Sequence, residues 1–205
     1  MDNLTIFGED LIDRQSIEQI RRCVGEEDLA VLTADAHYGY GHPIGGAVAY
    51  RRHISLSGVG FDIACGNKAV RTDILAADVE VGRVMDEITQ QIGFGLGRPN
   101  PTPIDHPVFV QIDQLELPLS AKQKKFLFER AKEQLGTVGS GNHFVDLFED
   151  EEGYLWIGVH FGSRGFGHML TMGFIALSQN RKFFDKVKTG GMDSPPILFE
   201  AKSEI

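Results

Sequence analysis

Glycine residues in this chain concentrate where potential metal ligands occur. The sequence contains 24 glycines in 205 residues, which is well above the average usage of about 7%. Three short segments combine glycine with thiol, carboxylate or imidazole side chains, namely residues 62–66, 139–143 and 160–165. Glycine lets the backbone turn sharply, so each segment can point a polar side chain into a cleft. We therefore predict that the three segments converge on one site.

The side chains in these segments are typical of a transition-metal site. Asp62, Cys65, His143 and His160 offer one carboxylate, one thiolate and two imidazoles. This set suits Mn, Fe, Co or Zn better than Ca or Mg, which prefer oxygen ligands alone. Taken singly, Cys65 could equally be a buried structural thiol, and His160 a core histidine. The carboxylate three residues before Cys65 favours the metal interpretation.

Neighbouring residues extend this candidate site. Asn142 follows a glycine turn whose backbone N–H groups could cradle a phosphate, although a simple turn is the commoner outcome. Arg164 lies just beyond His160, and a guanidinium can bind phosphate through two hydrogen bonds. Asp35 and His37 lie in another glycine-rich segment. They are predicted to line the cleft or to orient the ligands.

Composition limits the class of protein. The chain has 42% hydrophobic and 24% charged residues, as expected for one globular domain over residues 1–205. No apolar run approaches the length of about 20 residues that a membrane span needs, and the N-terminus lacks the features of a signal peptide. Two cysteines do not form a disulfide framework, so the predicted location is a reducing cytoplasm. The formal net charge of −9 argues against a uniformly basic nucleic-acid surface but permits a local basic patch.

The pattern of short apolar runs and amphipathic segments predicts an α+β fold with a mixed sheet and packed helices. Predicted helices cover residues 17–22, capped by Ser16; 79–92; 121–135, capped by Ser120; and a span from 163 or 165 to about 184. Predicted strands cover residues 29–33, 47–50, 54–56, 68–72, 144–148 and 154–159. Residues 35–46 and 93–107 are predicted to be irregular because glycine and proline interrupt them.

Four motifs follow one another along the chain: Asp35-x-His37-x-Gly-x-Gly-x-Pro43-Ile-Gly-Gly46, Gly58-Val-Gly-Phe-Asp62-Ile-x-Cys65-Gly66, Gly136-Thr-x-Gly-x-Gly-Asn142-His143-Phe144 and His160-x-Gly-Ser-Arg164-Gly-x-Gly167. In this order the four motifs resemble the RtcB family of RNA-splicing ligases. They span roughly residues 30–170. None of them would be decisive alone, but the combination is highly specific.

The resemblance implies a fold, an activity and a set of site residues. The fold would be RtcB-like. The activity would be a GTP- and Mn²⁺-dependent ligation of RNA 2′,3′-cyclic phosphate or 3′-phosphate ends to 5′-hydroxyl ends. It would proceed through a guanylylated intermediate, in tRNA splicing or RNA repair. Asp62, Cys65 and His143 would hold one metal ion, and Cys65 would bridge to a second ion held partly by His160. Asn142, with His143 and Arg164, would bind the guanylate.

Zn²⁺ and Co²⁺ are alternative occupants of the same ligands. The family's chains are considerably longer than this one, and the resemblance places the guanylylated histidine in their C-terminal half. The chain is thus expected to be a truncated, N-terminal part of such a ligase and not to complete the cycle alone. Two other interpretations stay open at this point, a metal-dependent phosphoesterase and a non-catalytic metal- or RNA-binding module. The need for an activating protein partner is also open.

Overall fold

A computed structural model describes residues 3–63, 65–189 and 191–201. Its helices and three small sheets confirm the predicted α+β class. In chain order, the strands of the described residues are β1 (Leu4–Ile6), β2 (Leu29–His37), β3 (Ile44–Ala49), β4 (His53–Ser55), β5 (Gly66–Leu75), β6 (Phe144–Glu149), β7 (Tyr154–Phe161) and β8 (Leu198–Glu200). The α-helices are α1 (Arg14–Cys23), α2 (Val81–Gln91), α3 (Val108–Asp113), α4 (Ala121–Gln134) and α5 (Arg164–Ser178). The chain divides into two compact units, Met1–Phe61 with Thr171–Ile205, and Asp62–Leu170.

The first unit contains the sheet β1-β2-β3, in which β2 pairs parallel with β1 and antiparallel with β3. Helix α1 buries Ile17 and Ile20 in one cluster with Ala30 and Leu32 of β2. The helix begins earlier than predicted because Asp13, and not Ser16, is its N-cap. The Asp13 carboxylate accepts a hydrogen bond from the Ser16 backbone N–H at 2.9 Å.

Three further features of the first unit differ from the sequence prediction: the end of one strand, an additional strand and the end of a helix. Strand β2 continues to His37 through a shift in register after Leu32, where an irregular segment was predicted. Strand β8 pairs antiparallel with β4 and was not predicted. Helix α5 ends at Ser178 and not near residue 184, because Asn180 takes a left-handed conformation with φ 56°. The chain then turns back and places Phe183 directly on Gly173, where a Cβ would lie 2.2 Å from the Phe183 ring.

The second unit contains the antiparallel sheet β5-β7-β6 and helices α2, α3 and α4. Ser120 caps α4 as predicted, and Gln123 completes a capping box with it. Helix α3 was not predicted, because six residues after Pro107 give little helical periodicity. No α-helix among the described residues is long and apolar enough to cross a membrane.

The acidic turn between β6 and β7 is organised by Asp150. Its carboxylate accepts hydrogen bonds from the Trp156 indole N–H at 2.7 Å, from the Tyr154 backbone N–H at 2.9 Å and from Arg71 at 3.0 Å. These bonds, led by the one from Trp156, hold the pKa of Asp150 well below its ordinary range. The ionised carboxylate therefore stabilises the folded turn.

Replacing Asp150 by asparagine should lower the melting temperature at neutral pH. A carboxylate with a lowered folded-state pKa stabilises the protein above its unfolded pKa of about 3.9 and loses this effect as the pH falls through the folded value. The difference in melting temperature between wild type and D150N should therefore be constant above about pH 5 and become smaller in more acidic buffer. Thermal unfolding followed by circular dichroism measures this gap. E151Q, which changes an exposed neighbour, is the control, and an equal gap at all pH values would contradict the account.

Candidate metal centre

The topology of the second unit brings the three predicted segments to one edge of its sheet. Strands β5 and β6 both run antiparallel to β7, so the residues that precede them lie beside the end of β7. Gly66 pairs with Phe161, and Phe144 pairs with His160. Cys65 and His143 come immediately before these paired residues. The sheet therefore positions the thiol and both imidazoles together.

The coordinating atoms lie close together. One such atom from each of Cys65, His143 and His160 lies within 4.8 Å of the other two. Asp62 joins them, since its Oδ2 is 2.6 Å from Nε2 of His143 and 3.6 Å from Sγ of Cys65. Cys65 Sγ is in turn 3.7 Å from His143 Nε2. The predicted convergence of the segments is thus present in the structure.

The side chain of His143 is almost fully enclosed. Only 3% of its side chain is exposed, whereas Cys65 is open to solvent. Its Nδ1 atom has no hydrogen-bond partner within the described part of the chain. The polar contacts of this ring therefore lie on the Nε2 side, toward Asp62 and Cys65.

His160 is held on both of its ring nitrogens. Its Nδ1 lies 2.5 Å from Oδ1 of Asn67 in β5, and its Nε2 lies 3.3 Å from Nδ2 of Asn142. The Phe144 ring stacks on it, with centroids 5.7 Å apart and planes at 23°. Asn67 was not predicted from the sequence. The signal that could have found it is the strand alternation of β5, which puts Asn67 two residues after Cys65.

Asp62 is supported by the segment that follows β7. Ser163 Oγ donates a hydrogen bond to Asp62 Oδ1 at 3.2 Å. A Cβ at Gly162 would lie 2.1 Å from the same carboxylate, so only glycine fits beside it. The glycine predicted to allow a turn is therefore also required by close packing against a candidate ligand.

The protonation of Cys65 depends on the charges around it. Partial desolvation of the sulfur, together with the charge of Asp62 and the hydrogen bond to it, raises the pKa of the Cys65 thiol. A divalent cation beside the sulfur acts in the opposite direction and favours the thiolate. One carboxylate, one thiol and two imidazoles within these distances fit a transition-metal ion, and the negative charge of the set favours binding of a cation.

Arg164 lies beside the loop that carries Asn142 and His143. It begins α5 in a left-handed conformation with φ 55°. Its Nε donates to Thr137 Oγ1 at 3.2 Å and its Nη2 to the Gly95 carbonyl at 3.4 Å. A Cβ at Gly139 would lie 1.9 Å from Nη1 of Arg164, so the guanidinium fills the space that glycine leaves. Burial lowers the pKa of Arg164. Its binding of a phosphate stays a prediction.

Asp35 and His37 lie in the other compact unit, at the end of β2. Both residues are exposed. Asp35 accepts a 2.5 Å hydrogen bond from the Thr33 hydroxyl, and this bond is the main cause of the lowered pKa of Asp35. Their expected place in the cleft stays a prediction.

A cavity of about 390 Å³ adjoins the site within the second unit. Side chains of α3, α4 and the sheet line most of it, including Phe109, Ala131 and Val159, and His160 and Arg164 lie at its wall. The polar groups of Thr137 and Arg164 are bonded to each other at this wall. Most of the side chains that line the cavity are therefore apolar.

Comparison with known proteins assigns the family. The family model described as tRNA-splicing ligase RtcB matches residues 16–194. The chain belongs to the RtcB family. This match extends beyond the roughly 140 residues over which the motifs were recognised, and it includes the whole candidate metal centre.

Individual RtcB proteins are similar over most of the chain. The RNA-splicing ligase RtcB of Escherichia coli is 35% identical over 170 residues, which cover 74% of this chain and 40% of that protein. The tRNA-splicing ligase RtcB of Methanococcus maripaludis is 31% identical, with 91% of this chain and 48% of that protein covered. That of Pyrobaculum aerophilum is 28% identical, with 81% and 43% covered. The chain spans less than half the length of these relatives.

Proposed function

We propose that this chain takes part in GTP- and Mn²⁺-dependent RNA ligation, in tRNA splicing or RNA repair. The reaction would join a 2′,3′-cyclic phosphate or 3′-phosphate end to a 5′-hydroxyl end. Membership of the RtcB family supports the reaction class, and the names of the relatives support an RNA substrate. The two free cysteines fit the proposed location in a reducing cytoplasm.

One observation carries this proposal. Side chains from three separated segments place a carboxylate, a thiol and two imidazoles at a single sheet edge. A purely structural role would not require a carboxylate, a thiol and two imidazoles at one place. Stabilising the charge of a transferring phosphoryl group is a function that such an arrangement can serve.

The residues of this chain have separable roles in the proposal. Asp62, Cys65 and His143 would hold one Mn²⁺, and Cys65 with His160 would contribute to a second. The ions would supply positive charge to the oxygens of the phosphate. The side-chain amide nitrogen of Asn142 lies 3.3 Å from Nε2 of His160. This amide would therefore be able to donate a hydrogen bond to a phosphate oxygen bound beside His160. His143 and Arg164 would complete the binding of the guanylate.

The test compares two RNA oligonucleotides of one sequence, ending in a 3′-phosphate or a 3′-hydroxyl, for binding to the protein in Mn²⁺. Fluorescence anisotropy should show tighter binding of the phosphorylated end by about tenfold or more, because a charge-assisted hydrogen bond contributes about 1.5–3 kcal/mol. The preference should fall in N142A and persist in N3A, which changes a partly buried asparagine of the other unit. Equal affinity for both ends in folded wild type would contradict the proposal.

Product analysis separates the ligase interpretation from a metal-dependent phosphoesterase. Incubation with GTP, Mn²⁺ and both RNA ends should give no sealed product, as the family resemblance predicts for this chain alone, and sealed RNA would refute that expectation. Release of inorganic phosphate without joining, lost in C65A, would indicate a phosphoesterase. Binding without chemistry, but with preference for the 3′-phosphate, is the result expected here.

A further inference from the structure

Asn67 is a polar partner of the candidate site to which neither the motifs nor the comparisons assign a role. It lies in β5 directly opposite His160 of β7. Residues paired across neighbouring strands project from the same face of the sheet, so the asparagine side chain and the imidazole meet. The separation of 2.5 Å between Asn67 Oδ1 and His160 Nδ1 makes this a short hydrogen bond.

The chemistry of this bond fixes the position of the imidazole proton. An amide oxygen can only accept a hydrogen bond, so Nδ1 of His160 must donate and carry the proton. The Nε2 atom then carries no proton, and its lone pair can accept a hydrogen bond or bind a metal ion. Asn142 supports the same assignment from the other side, because its amide nitrogen is placed to donate to Nε2 at 3.3 Å. Two independent asparagines thus specify one tautomer.

The same contacts fix the orientation of the ring. Asn67 holds one ring edge from β5, while Phe144 stacks on the ring face from β6. The lone pair of Nε2 is available for a metal only if Nδ1 keeps the proton. Groups that orient a ligating histidine in this way typically change metal affinity by about 10–100-fold when removed.

We propose that Asn67 is a positioning residue, which holds His160 as the Nδ1–H tautomer with Nε2 available to a metal ion beside Cys65 and His143. This role rests on the proposed metal function of the site. It assigns Asn67 no contact with RNA or with the metal itself. The substitution N67L keeps the approximate size of the side chain but removes the acceptor, and N67D keeps an acceptor oxygen.

Two measurements test the proposal, the first by titration calorimetry with Mn²⁺ alone and with Zn²⁺ alone. The affinity should fall about 10–100-fold in N67L and be largely retained in N67D. K68L is the matched control, since Lys68 is exposed and is the next residue of β5, on the opposite face. Equal affinity in wild type and N67L would overturn the proposal, and so would an equal loss in K68L.

The second measurement needs no metal. Nitrogen-15 chemical shifts of the His160 ring at neutral pH should show the proton on Nδ1 in wild type and N67D, and on Nε2 to a larger fraction in N67L. An Nε2–H tautomer in wild type would overturn the proposal. Failure of the wild type to bind metal, with the predicted tautomer present, would refute the metal function and with it the role given to Asn67. Normal metal binding with an unchanged tautomer in N67L would refute the role of Asn67 alone.

Discussion

Alanine in place of Cys65 or His143 should lower the affinity of the protein for Mn²⁺ and for Zn²⁺ by more than about 100-fold. Loss of a ligand costs more than loss of a group that orients one, for which 10–100-fold is typical. The two residues are 78 positions apart. A similar loss in both variants therefore indicates that the separated segments form one site. Titration calorimetry on the purified chain measures the two affinities.

The control for each variant is the same replacement at a residue outside the site. C23A removes the other thiol, which is buried and whose pKa burial raises to about 11. H106A removes an exposed imidazole. Both should bind metal like wild type, provided that circular dichroism shows a folded chain. Unchanged affinity in either C65A or H143A would contradict a shared site.

The affinity should also rise with pH. Burial and the adjacent Asp62 raise the pKa of the Cys65 thiol, so the proton competes with the metal below that pKa and is released on binding. The pH dependence should be weaker in C65A, because this variant has one fewer proton to release. The same titrations in a series of buffers test this sign.

Alanine at Gly139 should destabilise the protein far more than alanine at Gly141. Both glycines have positive φ, of 102° and 77°, and a left-handed conformation costs an alanine about 1–2 kcal/mol. At Gly139 the added Cβ would also lie 1.9 Å from the guanidinium of Arg164, whereas nothing lies within 4 Å of a Cβ at Gly141. The free energy of unfolding should therefore fall by about 1–2 kcal/mol in G141A and by more than about 3 kcal/mol in G139A.

Urea denaturation measures both changes. The double variant G139A/R164A separates the clash from the backbone strain, because removing the guanidinium makes room for the new methyl group. Its loss of stability should be smaller than the sum of the losses in the two single variants. Equal destabilisation in G139A and G141A would show that the packing of Arg164 against this loop is unimportant.

The ligands could be predicted from the sequence because they are chemically distinctive. A thiol, a carboxylate and two imidazoles beside glycines indicate a site before any fold is known, and motif order then indicated the family. The convergence of Cys65, His143 and His160 follows from strands that start and end at one sheet edge. The local pattern of apolar residues predicts the strands, but it does not predict which strands pair with each other.

The residues that support the ligands are not chemically distinctive, so residue type alone does not identify them. Asn67 is an ordinary polar residue of an exposed strand until β5 and β7 are paired and His160 is placed opposite it. Gly139 and Gly162 were interpreted as turn residues, yet each is also required by a side chain distant in sequence, Arg164 for one and Asp62 for the other. Such packing requirements depend on tertiary structure.

The predicted start of α1 and the predicted end of α5 were wrong for a related reason. Ser16 and Asp13 are both good N-cap residues, and only the hydrogen bond from the Ser16 backbone N–H identifies Asp13 as the cap. The apolar periodicity of α5 continues to Phe184, but Phe183 packs back on Gly173. A hydrophobic residue that returns to the core after a turn has the same sequence pattern as one that continues a helix.

Anomalous diffraction from crystals of the protein soaked in Zn²⁺ shows directly whether Asp62, Cys65 and His143 hold a metal ion. We expect a strong peak at the sheet edge, about 2.3 Å from Cys65 Sγ and about 2.0–2.2 Å from Asp62 and His143. A second peak near His160 would extend the assignment to two ions. A metal bound elsewhere, or bound at this edge without the Cys65 sulfur, would contradict the claim that these segments form the metal centre.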